Sequence, residues 1–117
     1  MTNRLISELS SSQFLTLIEG ERIVLADFFA TWCGPCKAME PVIERLAEQL
    51  APSVEVVKIN IDNCPELAQQ FGVRGVPSFL VFSNGKLGER AVGIISEKAL
   101  TSLIEPYLAG AEKKVSA

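Results

Sequence analysis

Apolar residues recur along this chain with two different periods, and each change of period marks a new element. Leu5 and Ile6 suit a short strand, and Ser10, Ser11 and Ser12 then supply N-cap oxygens to a helix carrying Phe14, Leu15, Leu17 and Ile18 and ending near Gly20. The run over 23–30 is apolar on both alternating faces, which predicts a central strand covered by helices on each side; Asp27 alone breaks it. Beyond Gly34-Pro35, residues Met39, Val42, Ile43, Leu46 and Leu50 fall at helical spacing with Glu44, Arg45, Glu48 and Gln49 between them, so a long amphipathic helix is expected. Pro41 lies inside it and removes an amide donor, which predicts a kink. A strand over 54–61 and a short helix over 65–71, stopped by Gly72, follow. The apolar runs 78–82 and 87–92 flank Asn84-Gly85, the dipeptide that best tolerates the positive φ angles of a type I′ hairpin turn. A last helix over 96–108 places Leu100, Leu103, Ile104, Tyr107 and Leu108 on one face, and 110–117 reads as a frayed polar tail.

The order β-α-β-α-β-α-β-β-α predicts an α/β fold: a central mixed sheet with parallel early strands, an antiparallel C-terminal hairpin, and helices on both faces. With 117 residues and 48% hydrophobic content, residues 1–117 are expected to form one domain around one core. A formal net charge of −3 gives no electrostatic footprint for nucleic acid, whose binders cluster Lys and Arg against phosphates. The N-terminal segment Met1-Thr2-Asn3-Arg4-Leu5-Ile6-Ser7-Glu8 has no continuous apolar stretch of the kind a secretory signal needs, and no run is long enough for a membrane helix. A soluble cytoplasmic monomer is therefore expected, with no nucleic-acid or membrane partner.

The chain has three cysteines, an odd number that argues against a disulfide framework and for a reducing compartment, where a close pair is catalytic or metal-binding. Cys33 and Cys36 sit where the buried strand gives way to the long helix. An α-helix turns about 100° per residue, so Cys36 returns to within ~60° of Cys33, near enough to close a disulfide. Unpaired N–H groups and the positive dipole end at that helix start favour a thiolate, so Cys33 is expected to be nucleophilic. A zinc site is the competing use of Cys-x-x-Cys; with no histidine and only Cys64 besides, the ligand count falls short unless a carboxylate completes it. Two inert structural thiols are the plainer alternative, against which stand the Gly-Pro between them and the strand-to-helix turn beneath. Asp27 is costly to desolvate as a carboxylate in so apolar a strand, so it is expected to hold its proton to higher pH than usual.

Ala26-Asp27-Phe28 leading into Trp32-Cys33-Gly34-Pro35-Cys36-Lys37 resembles the active-site segment of thioredoxins. The resemblance continues through Pro41, Lys58-Ile59-Asn60-Ile61-Asp62, Arg74-Gly75-Val76-Pro77-Ser78, Phe82-Ser83-Asn84-Gly85 and Gly93, nearly the whole chain. It implies a thioredoxin fold and a protein-disulfide reductase that needs no bound cofactor. Cys33 would attack a substrate disulfide, and Cys36, the more buried thiol, would resolve the mixed disulfide. Asp27 would accept the proton of Cys36, with Lys58 modulating it. The resemblance further implies a cis bond before Pro77 and an apolar docking surface of Trp32, Gly34, Pro35, Val76, Pro77 and Gly93 for protein substrates. A thioredoxin reductase drawing on NADPH or ferredoxin would return the dithiol. Gly-Pro between the cysteines resembles the reducing members of the family.

Three positions depart from the family pattern. Phe29 stands where many thioredoxins have a second tryptophan, an exchange that packing should survive; Glu40 adds a negative charge that bears on partner choice. Cys64, at the start of a short helix, is expected to be a partly exposed, incidental thiol. A non-catalytic alternative is an assembly or processivity subunit that uses only the docking surface, which has no chemical need of Cys33, Cys36 and Asp27 together.

Overall fold

A computed structural model describes the backbone of residues 5–116 and the side chains of residues 5–108. Along the chain run β1 (Ile6–Glu8), α1 (Ser11–Ile18), β2 (Ile23–Phe29), α2 (Gly34–Leu50), β3 (Val54–Asn60), α3 (Pro65–Gln70), β4 (Ser78–Ser83), β5 (Lys86–Val92) and α4 (Glu97–Ser116). The strands form one sheet in the order β1-β3-β2-β4-β5. β1 and β2 both run parallel to β3, whereas β2–β4 and β4–β5 are antiparallel. The expected mixed sheet is thus present, and β2, buried at every position, is its centre.

Strand alternation sorts the core into two layers. Val24, Ala26 and Phe28 point with Val57 and Ile59 into a cluster that includes Phe14, Leu67 and Phe82. There Phe14 meets Phe28, Phe71 and Phe82 edge-on, with ring centroids 5.4–6.0 Å apart. Ile23 and Leu25 point the other way, into a cluster with Met39, Ile43, Leu46, Leu100 and Ile104 of α2 and α4. Helices therefore cover both faces, as the uniformly apolar run 23–30 requires.

Local chemistry explains the element ends. Ser10 caps α1 and exchanges bonds with Gln13 in a capping box. Asn84 and Gly85 take φ of 53° and 78°, the left-handed pair a type I′ turn needs, and Ser83 pairs with Lys86 directly across it, so β5 starts one residue earlier than expected. α4 runs to Ser116, well past the expected end at 108. Ala109, Ala111, Glu112, Lys113 and Lys114 are strong helix formers and together outweigh Gly110. The segment 110–117, expected as a frayed tail, has helical backbone to Ser116; Ala117 lies outside the described residues. α2 is continuous through Pro41.

Candidate active site

β2 delivers the chain to the sheet's carboxyl end, where Ile61 N–H bonds the Phe29 carbonyl and ties down the exit toward α2. Cys33 is the N-cap of α2, Gly34 and Pro35 fill its first two positions, and Cys36 is the third. Proline suits that place because its missing N–H has no helical partner there. The two sulfurs are joined in a disulfide with Cα atoms 5.3 Å apart, so this is the oxidised state of the pair. The amide of Cys36 donates to Cys33 Sγ at 3.1 Å. On reduction the same amide, at the positive end of a 17-residue helix, faces whatever charge Cys33 acquires.

Cys33 and Cys36 are 4% and 5% exposed, so the expectation that Cys36 is the more buried does not hold here. Both are drawn into a small cluster with Phe29 and Ala30, and Val76 and Ile61 pack against it. What separates the sulfurs is their neighbours. Cys33 lies between exposed Trp32 and exposed Gly34, with its Sγ 3.6 Å from the Val76 carbonyl oxygen, whereas Cys36 is followed by buried Met39 within the helix. Beyond its chain neighbours and its own helix backbone, no atom lies within 4 Å of where a Cβ on Gly34 would stand.

Val76–Pro77 is a cis peptide, as the family resemblance implied; Ala51–Pro52 is cis as well, a bond nothing in the sequence marked. Pro77 is buried, and its carbonyl accepts from Gly93 N–H at 2.8 Å, which sets the 92–94 segment beside the Val76 loop. Gly93 has φ of +88°, a conformation that favours glycine. The six expected docking residues are thereby placed around Cys33, apart from Pro77 at the surface or partly exposed. Val92 and Ile94, which flank Gly93 and which the sequence reading did not single out, are 59% and 65% exposed, and with Trp32 at 67% they are large apolar side chains left open to solvent. Asp62 was missed too. It lies in a matched stretch but thirty residues from Trp32, whose Nε1 donates to its Oδ2 at 2.9 Å and so fixes the indole beside Cys33.

Asp27 is 3% exposed, and its Oδ1 has no hydrogen-bond partner. Burial pushes its carboxyl up to about 7, against a smaller lowering by Lys58 and a further push from Glu40. Lys58 is its register partner on β3. The lysine Nζ sits 4.2 Å from the centre of the Phe29 ring, so the departure at Phe29 keeps a cation–π seat there. Cys64, expected to be partly exposed, is 2% exposed; the Phe14 side of the core closes over it and its Sγ donates to the Leu9 carbonyl at 3.9 Å.

The family model for thioredoxin matches residues 5–106. Among curated proteins the chain is 47% identical over 85 residues to thioredoxin of Chlamydia muridarum, covering 73% of this chain and 82% of that protein. It is 34% identical over 104 residues to thioredoxin of Porphyra purpurea, covering 88% and 97%. It is also 41% identical over 92 residues to a chloroplastic M-type thioredoxin of Spinacia oleracea, covering 79% of this chain and 51% of that longer protein. Among solved structures, a single-substitution mutant of thioredoxin from Halobacterium salinarum superposes with a TM-score of 0.80 at 39% identity, over 92% of this chain and 95% of that one. A redox-closed Cys-Gly-Pro-Cys at a helix start, over a buried acid and beside a cis-proline loop, agrees with all of these, and the chain belongs to the thioredoxin family of thiol–disulfide oxidoreductases.

Proposed function

We propose that this protein reduces disulfides of other proteins in two successive steps with distinct residues. The observation that carries the order is the amide of Cys36 aimed at Cys33 Sγ from the start of α2. In the dithiol form that amide stabilises a Cys33 thiolate, which attacks one sulfur of a substrate disulfide; a Cys33–substrate bond forms and the first substrate thiolate leaves. Cys36 then gives its proton to Asp27, and its sulfur attacks Cys33 Sγ. The second substrate thiolate departs, two electrons have passed to the substrate, and Cys33 and Cys36 are joined. A carboxyl poised near 7 suits this transfer, since it can take and return a proton at neutral pH. Trp32, Gly34, Pro35, Val76, Pro77 and Gly93 form the substrate surface, enlarged by Val92 and Ile94.

The dithiol is regenerated by a thioredoxin reductase drawing electrons from NADPH or ferredoxin, so the protein maintains reduced thiols and supplies electrons to reductive enzymes. We place it in the cytoplasm, as one domain working as a monomer. A buried free Cys64 is compatible with a reducing compartment, and among the described residues no helix is long and apolar enough to cross a membrane. Insulin reduction followed by turbidity, first with dithiothreitol and then with NADPH or reduced ferredoxin plus a matching reductase, tests activity and electron source together. Precipitation in the first assay is expected; its absence would favour a binding module.

A further inference from the structure

Arg90 and Val92 lie opposite Leu80 and Ser78 in the β4–β5 ladder, so they share the face of the sheet that Leu80 turns toward Phe14 and Leu67. Over that face runs the segment 71–77, which leads from the end of α3 to the cis-proline; its Phe71 and Val73 pack on the same cluster. β5 meets the segment at three successive places. Arg90 donates from Nη2 to the Phe71 carbonyl and from Nη1 to the Gly72 carbonyl, the latter at 3.2 Å. Val92 lies beside Gly75, where an added Cβ would stand 3.6 Å from Val92 Cγ1. Gly93 N–H reaches the Pro77 carbonyl at 2.8 Å.

α3 closes its own end without the two carbonyls that Arg90 holds. The amides of Phe71, Gly72 and Val73 bond the carbonyls of Leu67, Gln69 and Ala68, with Gly72 in the left-handed conformation at φ of 68°. The carbonyls of Phe71 and Gly72 take no part in this. A guanidinium presents several N–H donors in one fixed plane, so a single side chain engages both neighbouring carbonyls at once, whereas an ammonium acts as a point charge.

We propose that Arg90 is a positioning residue for protein substrates: it grips the entrance of segment 71–77 while Gly93 grips the exit, and together they fix the Val76 backbone against Cys33. The inference rests on the reductase reading and adds to it a residue of the outer strand that touches neither sulfur. The Val76 carbonyl stands 3.6 Å from Cys33 Sγ. A substrate sulfur that approaches Cys33 therefore brings its own main chain along this segment. Without Arg90 the entrance is held by α3 alone, a helix of six residues, and Val76 is free to shift relative to Cys33. A protein disulfide feels that shift. A small disulfide, which has no chain to lay against Val76, feels little of it.

The test uses the full-length reduced protein as wild type, Arg90→Lys, Arg90→Gln and Lys86→Gln, the last removing the same charge from the other end of β5. Rates of opening of insulin and of dithiodipyridine, a small aromatic disulfide, are measured where circular dichroism shows each protein folded. Arg90→Gln should slow insulin opening about five-fold or more and dithiodipyridine opening by less than about two-fold. Arg90→Lys should fall between Arg90→Gln and wild type, and Lys86→Gln should match wild type. Exchange of the Gly93 amide, at the far end of the segment from Arg90, should quicken roughly ten-fold in Arg90→Gln, because a loosened segment releases the Pro77 carbonyl. Unchanged insulin opening in Arg90→Gln, equal slowing on both disulfides, or Gly93 exchange at the wild-type rate overturns the role of Arg90. So does a loss in Lys86→Gln as large as in Arg90→Gln. If Arg90→Gln does not fold, Arg90→Lys decides by the same two measurements. If wild type opens dithiodipyridine but not insulin, the reductase reading fails, and Gly93 exchange alone then judges the hold of Arg90 on the segment.

Discussion

Helices α2 and α3 both begin at a buried N-cap cysteine, and both have proline within the first two helical positions. At α2 the sulfur of Cys33 receives the amide of Cys36, a second sulfur stands three residues on, a buried carboxyl lies beneath, and exposed apolar side chains surround the opening. At α3 the sulfur of Cys64 receives no cap hydrogen bond. It turns away to the Leu9 carbonyl, among Phe14 and Leu67. α3 is also six residues long against seventeen, a much smaller stack of aligned peptide dipoles. The two entrances teach that helix starts of similar sequence can place a cysteine sulfur in different surroundings. The direction of the sulfur, a second sulfur within reach and a carboxyl in the strand beneath make the difference on the function proposed above.

The comparison is broken most directly by removing the sulfurs in turn. Cys33→Ser and Cys36→Ser should each lower insulin reduction by at least about 1,000-fold, because the two residues act as a unit. Their failures should differ in kind. With Cys64→Ser in the background, Cys36→Ser should show covalently bound partners on a non-reducing gel that dithiothreitol releases, and Cys33→Ser should show few. The reverse pattern would exchange nucleophile and resolving thiol.

Asp27→Asn probes what lies beneath α2 and has no counterpart beneath α3. In the oxidised protein the folded carboxyl holds its proton up to about 7, against 3.8 in a free chain. The unfolded chain therefore releases that proton first as pH rises. The contribution of Asp27 to stability is greatest below the unfolded value and falls across the window from 3.8 to about 7, by an amount on the order of 4 kcal/mol. Asp27→Asn lacks this loss. Denaturant unfolding should show the variant gaining on wild type between pH 4 and pH 7, while its mixed disulfides resolve more slowly at neutral pH. Parallel pH profiles for the two proteins would remove the buried acid from the account.

Smaller effects are expected at the rim of α2. Emission of Trp32 should increase when the neighbouring disulfide is reduced, and an unchanged spectrum after verified reduction would contradict the packing. Asp62→Ala removes the bond to Nε1 at an exposed site and should cost no more than about 1 kcal/mol in stability, with altered Trp32 emission as its signature. Smallest of all should be the change in activity for Cys64→Ser, within about two-fold of wild type. Its cost should appear in folding instead, about 1 kcal/mol, since a hydroxyl replaces a thiol in an apolar core. Rapid alkylation of Cys64 in the native protein would show that the α3 entrance is less closed than described.

Much of this was legible before any coordinates. The run 23–30 announced the central strand because an apolar stretch on both alternating faces has no other comfortable place, and Asn84-Gly85 announced its turn because few other dipeptides accept two positive φ angles. Cys33, Cys36 and Asp27 were legible as chemistry for the same reason, each being expensive or reactive where it stands. What escaped depended on residues distant in sequence. Cys64 is closed off by the core around Phe14 and by Leu9, fifty-five positions away. Trp32 finds Asp62 across the sheet's carboxyl end, and Val92 and Ile94 are set beside the Val76 loop through the Gly93 bond to Pro77. Local periodicity holds no information about such pairings. The equal burial of Cys33 and Cys36 was hidden likewise, since both belong to a cluster with Phe29 and Ala30 against which Ile61 and Val76 pack.

The open space around Gly34 bears on how this site can change over generations. A Cβ added there would meet no atom within 4 Å beyond its chain neighbours and its own helix backbone, and both residues between the cysteines are exposed. Folding therefore exerts little veto on Gly34, whereas β2 is buried at every position. A change at Gly34 can therefore leave the scaffold as it is, and Gly34→Ala is a substitution whose effect on stability should be small whatever it does to the chemistry beside it.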